Sequence, residues 1–468
     1  MLWTPRVALP HRLALLSYLG IDLVDTTEAL WRGQQGEIVD ATLGVASGPD
    51  APRSCRCPAC REMPETPGSE HALHAMLDEM DRIRAVVSAG RLRELVEARL
   101  TAEPLLAEIL RYADRDLRGL LDERVPVVSS VQRGYVLRES QRRPEVLRFR
   151  ARLLERYRPP ASKRCLLLVP CSKTKPYRSS RSHRRFQRAL EGVPNLERVH
   201  TVSVTSPLGV VPRELEDTYP ARHYDIPVTG EWDEAEREAV RAAVGHLLSK
   251  GRYDHTVVHL DPIEYGFLAD LFESAPRVTW TATDHRTTSG PALAALRSAV
   301  EQAVGGSPPT PGGPLTVVRE ELAQVAAYQF GAAAAELLFA APVRLAGRPW
   351  FQRLTDGNGT DLATWREPRG LFQLTVAGGR RLAPAHPLEV HLDPNVRLAG
   401  DLFAPGVTSA DPAIRAGDAV LLVQNGELFG VGEAALPGRL MTELGRGIAV
   451  HVRHRARPEA PPTPPTPT

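Results

Sequence analysis

The densest group of reactive side chains in this sequence directly follows the apolar run CLLLV. Residues 170–183, PCSKTKPYRSSRSH, hold one thiol, two lysines, several hydroxyls, a phenol and a histidine, and are called the reactive segment below. The whole chain has only four lysines, so the placement of Lys173 and Lys175 so close to Cys171 is a specific pattern. Because nearby cations favour the nucleophilic thiolate form of cysteine, the reactive segment predicts nucleophilic chemistry at Cys171.

Two further side chains of the reactive segment could support such chemistry. Ser172 or His183 could donate a hydrogen bond or a proton to charge that develops during an attack. Considered alone, His183 would more often form a structural hydrogen bond, but within this segment we favour catalysis or phosphate binding. Cys171 also has a simpler explanation, as a small buried residue at the end of a strand.

A second group of reactive side chains is the segment CRCPAC. Cys55, Cys57 and Cys60 place three thiols in a polar loop, and His71 and His74 follow shortly afterwards. Zinc prefers four tetrahedral sulfur or nitrogen ligands, so this spacing predicts a structural zinc site completed by one of the two histidines. Three free surface thiols are the alternative, which we disfavour because exposed thiols oxidise.

The composition limits the class of protein. A chain of 468 residues is expected to form about three or four domains, and 43% apolar with 24% charged residues is typical of a globular protein. No segment approaches the roughly 20 apolar residues that cross a bilayer, and no export signal is evident, so we expect a cytoplasmic protein without membrane contact. The 58 basic and 56 acidic residues nearly balance, so any nucleic-acid partner must bind local patches.

The reactive segment lies in a region where strands and helices alternate, residues 159–304. Its predicted strands are CLLLVP, VHTVSVT, DHTVVHLD and VTWTATD, and EWDEAEREAVRAAVGHLLSKG predicts a helix that ends at Gly251. Such alternation is typical of a mostly parallel, doubly wound sheet with helices on both faces. We therefore predict an α/β core domain here.

Ligands of such sheets bind beyond the carboxyl ends of the strands. Cys171, Asp261, Asp284 and His285 each come just after a strand-like run. Turn formation or helix capping explains Asp261 and Asp284 equally well, so the pattern leaves both explanations open for these carboxylates.

Composition shifts divide the rest of the chain. Residues 1–158 are mostly helical in pattern, with a long run from Ala72 to Leu110, and end at ERYRPPASKR. The Pro/Gly linker GGSPPTPGGP separates the core domain from residues 315–383, where one helical segment (319–340) precedes strand-like material and predicts a small α+β domain.

The C-terminal part is rich in short β runs. These runs, among them AVLLV and LFGVG, predict a β-rich domain over residues 384–457. PEAPPTPPTPT, residues 458–468, cannot bury apolar surface and is expected to be disordered.

The N-terminal region resembles a known family. HRLALLSYLGIDLVDTTEAL, then C-x-C-x-x-C, a histidine and AGRLRELVEARL are similar to the end of the tRNA-guanine transglycosylase barrel and its zinc lobe. In that family the zinc-binding histidine precedes a small-Gly-[Arg/Lys]-Leu segment by a fixed interval. Counting back from Gly90 leads to His71, so the resemblance favours His71 over His74. The family's catalytic aspartates precede this region and have no counterpart here, so we expect no base exchange by this chain alone.

The reactive segment indicates which relative of the transglycosylases this chain resembles. PCSKTKPYRSSRSH resembles the PCS-x-x-KPY-x-x-S-x-SH signature of archaeosine synthases, and SPLGVVPRELEDTYPARHYDIPVTGEW (206–232) is similar to the same family. The resemblance implies that an amine, understood to be L-lysine, is added to the nitrile of 7-cyano-7-deazaguanine at position 15 of archaeal tRNA. A radical SAM partner enzyme would then release archaeosine.

The resemblance also suggests roles for side chains. The Cys171 thiolate, favoured by Lys173 and Lys175, would attack the nitrile carbon, and Tyr177 would stack on or bond to the base. The carboxylates that could pair with the ammonium group of lysine are those of Glu214, Asp225 and Asp261.

The last two domains resemble parts of archaeal transglycosylases. VAAYQFG…AELLF and RGLFQLTVAGGRRLAPAHP are similar to the small domain that precedes the PUA module, and residues 386–455 resemble that RNA-binding module. Plausible phosphate contacts are Arg446, Arg453, Arg455 and Arg457. On charge alone, a solvated basic face would explain these arginines equally well.

Together these features predict a multidomain α/β and α+β protein. Its parts would be a partial transglycosylase-type barrel end with a zinc lobe (1–158), the doubly wound core domain, the α+β domain and the PUA domain. Two other functions remain open: a non-catalytic tRNA-binding subunit, and one part of a split transglycosylase. The sequence also leaves the oligomeric state open, a homodimer included.

Overall fold

The computed structural model describes residues 1–47, 55–63, 68–306, 308 and 310–456, and these residues divide into two compact units. The first unit comprises Met1–Asp122 and Val131–Pro144. The second comprises Glu123–Ser130 and the described residues from Glu145 onward. Both Arg457 and the predicted disordered tail, residues 458–468, lie outside the described residues. Within the described ranges, no helix has the length and apolar content needed to span a membrane.

The first unit is mostly helical, with two pairs of short strands and the single short strand β5 among its helices. Its elements are β1 (Trp3–Thr4), α1 (Pro10–Leu19), β2 (Leu23–Val24), α2 (Thr27–Gln34), β3 (Ile38–Asp40), β4 (Gly44–Ala46), α3 (Pro58–Glu62), α4 (Gly68–Ser88), α5 (Leu92–Arg99), α6 (Pro104–Asp116), α7 (Arg118–Glu123) and β5 (Arg133–Gly134). β1 pairs with β2 in parallel, and β3 pairs with β4 in antiparallel orientation. α1, α4, α5 and α6 contribute buried apolar side chains to one core.

Glycine and proline decide where these helices end. α1 ends at Gly20, whose φ of 87° is readily adopted only by glycine. The long helical run predicted from Ala72 to Leu110 is divided among α4, α5 and α6. Gly90 has a φ of 67° and interrupts the run. Pro104 begins α6, because the N–H that proline lacks would have no partner within the first turn of a helix.

The core domain of the second unit follows the predicted alternation of strands and helices. Its elements are α8 (Pro144–Glu155), β6 (Cys165–Pro170), α9 (Arg181–Leu190), β7 (Val199–Thr205), β8 (Gly209–Pro212), β9 (Tyr224–Asp225), α10 (Glu234–Lys250), β10 (His255–Val258), β11 (Val278–Trp280) and α11 (Gly290–Val304). The sheet order is β11-β10-β6-β7-β8, and only the edge strand β8 is antiparallel to its neighbour. The predicted α/β core is therefore confirmed.

Both faces of this sheet are covered. Cys165, Leu167 and Val169 of β6 pack against apolar side chains of α9 and α11 in one core. Because side chains alternate along a strand, Leu166 and Leu168 point to the opposite face, and both are also buried. Strand β6 lies centrally, since the chain passes from it to β7 on one side and later places β10 on the other. The reactive segment follows β6 at this switch in strand order, where ligands of open α/β sheets bind.

Two smaller domains follow the core domain. The first contains α12 (Pro314–Phe330), α13 (Ala332–Phe339), the antiparallel sheet β12 (Val343–Arg348), β13 (Phe351–Asp356), β14 (Asp361–Arg366) and β15 (Phe372–Leu374), and α14 (Val376–Leu382). The single helical segment predicted over 319–340 is thus two helices. Gly331, at a φ of 95°, breaks the run between them.

The C-terminal domain is β-rich, as predicted. It contains β16 (Glu389–Leu392), β17 (Leu402–Phe403), β18 (Val407–Ala410), β19 (Ala419–Gln424), β20 (Glu427–Ala434), α15 (Gly438–Glu443) and β21 (Ile448–Arg455). The strands form one sheet in the order β17-β21-β20-β19-β16-β18, around a core of its own.

Candidate functional site

The reactive segment is held at the carboxyl end of β6 by backbone and side-chain hydrogen bonds. The Cys171 N–H donates to the Val204 carbonyl oxygen at 3.1 Å, which continues the pairing of β6 with β7. At the other end of the segment, the Ser180 hydroxyl caps α9 by accepting from the His183 N–H at 3.2 Å. These contacts fix the loop that carries Cys171 between a strand and a helix.

The surroundings of Cys171 come from several parts of the chain. The groups whose charge acts on its thiol include Lys175 of the same loop and Glu264, which follows β10, while Thr205 ends the neighbouring strand β7. Burial is the largest influence and raises the pKa of the Cys171 thiol; Lys175 and Thr205 oppose this rise. The sequence predicted that nearby cations favour the thiolate; Lys175 does so here, but burial outweighs it.

The two lysines of the segment occupy different environments. The side chain of Lys175 is only 4% exposed, and its Nζ lies 4.2 Å from the ring centroid of Tyr224 and 3.9 Å from Asp225 Oδ1. Burial lowers the pKa of Lys175, while Cys171 and Asp225 act to raise it. Lys173 is exposed. Only one of the two predicted cations therefore shares the environment of the thiol.

The opposite shifts of Cys171 and Lys175 have a chemical consequence. Burial disfavours both charged forms, so the pKa of the thiol rises and that of the ammonium falls. Both shifts make proton transfer from the thiol to the amine less favourable, so a thiolate–ammonium pair depends on the attraction between its two opposite charges. The arrangement thus places a thiol and an amine in one electrostatic environment.

Two predicted site residues of the reactive segment lie inside the fold. His183 is fully buried, its Nε2–H donates to the Pro170 carbonyl oxygen at 2.9 Å, and burial lowers its pKa to about 3. Tyr177 is buried, stacks on His183, and its hydroxyl contacts Thr205 and Tyr224. Neither side chain can reach a phosphate or a base in this arrangement, so the predictions of phosphate binding by His183 and base stacking by Tyr177 are not supported. Both side chains hold the end of β6 in place.

An open cavity of about 460 Å³ lies beyond the carboxyl ends of the strands. It is lined by Pro170 of the reactive segment, by Asp261, Glu264 and Tyr265 after β10, and by residues 285–289 before α11. Its volume falls within the range of roughly 300–1,000 Å³ typical of small-molecule sites. The cavity therefore adjoins the reactive segment at the place where the fold predicts a ligand.

Three side chains set the polarity of this cavity. Asp261 Oδ1 lies 2.9 Å from His285 Nδ1 and also accepts from the Ile263 N–H. The contact with Ile263 is the one expected of a turn residue. Burial raises the pKa of Glu264, whose Oε1 accepts from the indole N–H of Trp232 at 3.3 Å. Asp284 instead accepts from Ser289 and the Arg286 N–H, so its contacts are those of the predicted turn.

The three carboxylates proposed for amine binding differ in how accessible they are to a substrate. Asp261 lines the cavity, and Asp225, with a side chain 45% exposed, lies near Lys175. Glu214 is buried, accepts from the Tyr157 hydroxyl at 2.6 Å and lies 3.6 Å from His200 Nε2. These partners hold its pKa near 2 despite burial. A substrate amine has no route to this carboxylate in the described structure, so the prediction for Glu214 is not supported.

Several residues of this site escaped the sequence analysis. Three residues lie close to Cys171 in space but 34 to 93 positions from it along the chain: Thr205, Tyr224 and Glu264. For Thr205 a signal existed, since it is the last residue of a predicted strand next to β6. Glu264 lies in a loop and Tyr224 in the two-residue strand β9, and the sequence pattern predicts the path of neither segment.

The cysteine segment forms a compact cluster in the first unit. The ligand atoms of Cys55, Cys57, Cys60 and His71 all lie within 4.8 Å of one another; these four residues are called the metal cluster below. His71 Nδ1 is 3.3 Å from Cys60 Sγ and 3.7 Å from Cys57 Sγ. Tetrahedral Zn–S bonds of about 2.3 Å place ligand atoms roughly 3.7 Å apart, so the four residues fit a zinc ion. His74 is not part of this group.

Local structure orients the ligands of the metal cluster. Cys57 precedes α3, and its sulfur accepts from the Cys60 N–H, so one turn of helix aims two thiols at the same point. His71 is buried on α4, and its Nε2–H donates to the Val39 carbonyl oxygen at 3.0 Å. This bond leaves Nδ1 unprotonated toward the thiols, as a metal ligand requires. Burial and the neighbouring thiols raise the pKa of Cys60 to about 12. A bound cation would lower that pKa again, because it stabilises the thiolate.

The arginines proposed to bind RNA in the C-terminal domain also differ in their contacts. Arg446 is exposed. Arg453 donates to Glu433 at 3.1 Å, and Arg455 donates to the Leu398 carbonyl oxygen. Two of the three described arginines are therefore engaged by their own chain.

Three family models match this chain. A model described as a domain of unknown function (DUF5591) matches residues 146–300. The patch-forming domain C2 of tRNA-guanine transglycosylase matches residues 320–388, and the PUA domain matches residues 394–456. The last two matches cover the two domains that follow the core.

Curated proteins are similar over nearly the whole chain. The archaeosine synthase of Haloferax volcanii is 35% identical over 96% of this chain and 75% of its own length. The archaeosine synthase subunit alpha of Methanosarcina acetivorans is 34% identical over 97% of this chain and 74% of its own. Among solved structures, the crystal structure of AF0587, a protein of unknown function, covers 66% of this chain and all of that one, with 26% identity and a TM-score of 0.49.

Proposed function

This chain belongs to the archaeosine synthase family of tRNA-modifying transferases, and from that premise we propose that it acts as an amidinotransferase-type enzyme in which Cys171 is the nucleophile. The electrophile would be the nitrile of 7-cyano-7-deazaguanine at position 15 of tRNA, and the amine donor would be L-lysine. The observation that carries this proposal is that the buried Lys175 amine acts on the Cys171 thiol within the reactive segment, whose Pro170 lines an open cavity.

In the first step, Lys175 accepts the thiol proton, and the Cys171 sulfur bonds to the nitrile carbon. One π bond of the nitrile breaks, and its nitrogen takes the proton that Lys175 holds, which gives a thioimidate. Ser172, partly buried beside Cys171, would donate a hydrogen bond to that nitrogen as charge develops on it. Attack by sulfur is efficient only in the thiolate form, so this proton transfer is the step that Lys175 makes feasible.

In the second step, the amine of lysine bonds to the same carbon. The carbon–sulfur bond breaks, the sulfur leaves as a thiolate, and a proton of the incoming amine returns to sulfur through Lys175. The product is a substituted amidine, with all atoms of the nitrile and the amine retained. Cys171 and Lys175 finish in their starting protonation states, as a catalyst requires.

The cavity beyond the strand ends suits an amine donor. Asp261 and Glu264 line the cavity and would pair with an ammonium group. Asp225 lies near Lys175, and the Asp225 side chain is partly exposed. His285, whose φ of 61° is unusual for a residue with a side chain, donates its Nδ1–H to Asp261 and would orient it. We propose that Tyr177 and His183 are positioning residues that hold the end of β6, not groups that touch the substrate.

Three other components complete the proposal. The metal cluster would hold a structural zinc ion, because four protein ligands leave no open coordination position for a substrate. A radical SAM partner would act on the product; the name of the Methanosarcina relative, a subunit alpha, supports the idea of a partner subunit. The PUA domain would bind the RNA of the tRNA substrate.

One experiment tests the proposed reaction. The purified chain is incubated with L-lysine and with tRNA that carries the nitrile base, and nucleosides are then analysed by mass spectrometry. We expect a new nucleoside whose mass equals the sum of the nitrile nucleoside and lysine. A chain that binds this tRNA but yields no lysine adduct would instead favour a non-catalytic tRNA-binding subunit.

A further inference from the structure

Helix α9, whose first three residues belong to the reactive segment, carries an unusual concentration of positive charge. Four of its ten residues are exposed arginines that we call the α9 arginine face: Arg181, Arg184, Arg185 and Arg188. None of these four side chains forms a hydrogen bond or ion pair with any residue in the described ranges. This separates them from arginines such as Arg178, which pairs with Asp217 and Glu367.

The orientation of α9 is fixed by its opposite face. His183, Phe186 and Leu190 are buried, and the last two pack into the core with strand residues of the sheet. The helix therefore cannot rotate to bring its arginines onto the protein. Because residues three and four apart share a face, the arginines lie side by side and point outward together.

This arrangement works against the stability of the helix itself. Like charges three or four positions apart on a helix repel, as do cations placed near a helix N-terminus, where the backbone dipole is positive. The first turn of α9 contains no acidic residue. Helix α10 of the same domain shows the usual arrangement, with Glu234 and Glu236 in its first turn and Lys250 in its last. The charge of α9 is thus better explained by a ligand than by folding.

We infer that the α9 arginine face binds backbone phosphates of the tRNA substrate, as a second RNA-binding surface besides the PUA domain. Exposed and unpaired guanidinium groups are the side chains that recognise phosphate best. From Arg181 to Arg188 the helix rises about 10 Å, enough to present several guanidinium groups to neighbouring phosphates of one strand. The surface widens at a groove of about 400 Å³ that Arg185 and Arg188 share with Arg297 of α11.

The position of this surface suggests what it does. α9 is joined to the reactive segment through the Ser180 cap and through the bond from His183 to Pro170. A phosphate backbone held along α9 would therefore be held at a fixed distance from Cys171. The inference rests on the family's action on tRNA, but it does not depend on the proposed amine transfer at Cys171.

The test compares tRNA binding by three variants of the full chain, with an in vitro transcribed tRNA as the probe and no amine donor present. Variant R184Q/R185Q/R188Q should bind at least about tenfold more weakly, and the slope of log affinity against log salt should fall by about 2 to 3. Variant R184K/R185K/R188K keeps the charge and should retain most of the affinity. Variant R115Q/R164Q/R241Q removes the same charge from arginines paired with Asp116, Asp254 and Asp270, and should bind within about twofold of wild type.

Several outcomes would overturn the inference. Unchanged affinity and salt slope in the glutamine variant of α9 would do so, as would an equal loss in the paired-arginine control. A loss that the lysine variant fails to restore would point to packing instead of charge. If the glutamine variant loses binding to phosphatidylserine vesicles but not to tRNA, the partner is a membrane surface and not RNA. The Cys171→Ala variant should bind tRNA as wild type does, so failure of the proposed chemistry leaves this test intact.

Discussion

The metal cluster and the reactive segment are both short runs of reactive side chains, yet the fold arranges their side chains in different ways. In the metal cluster, residues at positions 55, 57, 60 and 71 bring their ligand atoms within 4.8 Å of one another. In the reactive segment, Cys171 keeps Lys175 as a neighbour, while Lys173 lies in solvent and Tyr177 and His183 are buried in the core.

The difference shows which properties of a site follow from closeness along the sequence. A metal site needs several ligand atoms near one point, and a helical turn after a tight loop supplies that geometry locally. Nucleophile activation needs a particular electrostatic environment, which depends on burial and on charges from any part of the fold. Thr205, at the end of β7, and Glu264, in the loop after β10, both act on Cys171 and change its pKa.

The sharpest test of this contrast is removal of the thiol. We expect Cys171→Ala and Cys171→Ser to reduce lysine addition to nitrile-bearing tRNA by about a thousandfold or more, because the covalent step is lost. Affinity for tRNA should stay unchanged. Wild-type protein given the tRNA without lysine should trap a protein–tRNA adduct, detected by its shift in a denaturing gel. Near-normal turnover by the serine variant would mean that the amine adds directly to the nitrile.

The next largest effect should separate the two lysines. Lys175→Met should lower turnover by about a hundredfold, because the thiol loses its base, whereas the matched change Lys173→Met should alter it less than about threefold. Turnover of the wild type should rise with pH until Lys175 is deprotonated, at a pKa below that of a free lysine because burial lowers it. The Lys175 variant should lack this dependence. Equal losses in both variants would contradict the distinction that we draw between buried and exposed lysines.

The metal cluster should respond in its stability and metal content, with a smaller effect on turnover. Cys60→Ser and His71→Ala should reduce zinc from about one equivalent per chain to a small fraction and lower the melting temperature of the first unit, since metal binding and folding are coupled. His74→Ala serves as the control and should keep its zinc. Elemental analysis together with thermal unfolding measures both effects. Zinc retained in His71→Ala but lost in His74→Ala would reassign the fourth ligand.

The smallest expected effect on turnover concerns two carboxylates proposed from the sequence. Glu214→Gln should destabilise the protein by about 3 kcal/mol at neutral pH and leave the KM for lysine unchanged, because its partners are Tyr157 and His200. Its pKa is lowered to about 2 in the folded protein. The stability that it contributes is therefore complete above the ordinary glutamate pKa and is lost as the pH falls toward 2.

Asp261→Asn is the matched change in the cavity. It should raise the KM for lysine about tenfold with little change in stability, because Asp261 is more accessible and faces the cavity. Urea unfolding over a pH series and steady-state kinetics distinguish the two carboxylates. A raised KM in Glu214→Gln without loss of stability would restore the role that the sequence suggested.

Sequence patterns alone predicted the core domain closely. The four strand-like runs and the helix ending at Gly251 correspond to β6, β7, β10, β11 and α10. The physical reason is that runs of alternating or continuous apolar residues leave few ways to bury them. The patterns failed at helix breaks, as at Gly331, where one glycine at positive φ divides a run whose periodicity continues on both sides.

What the sequence determined by itself is the set of reactive groups and their local order: a thiol at a strand end, and three thiols before a histidine. Only the tertiary structure decided which of those groups meet. Burial raised the pKa of Cys171 and lowered that of Lys175, enclosed Glu214 and His183, and left the arginines of α9 in solvent. The reason is physical, because desolvation and Coulomb energies depend on distances between groups that the order of residues along a chain does not specify.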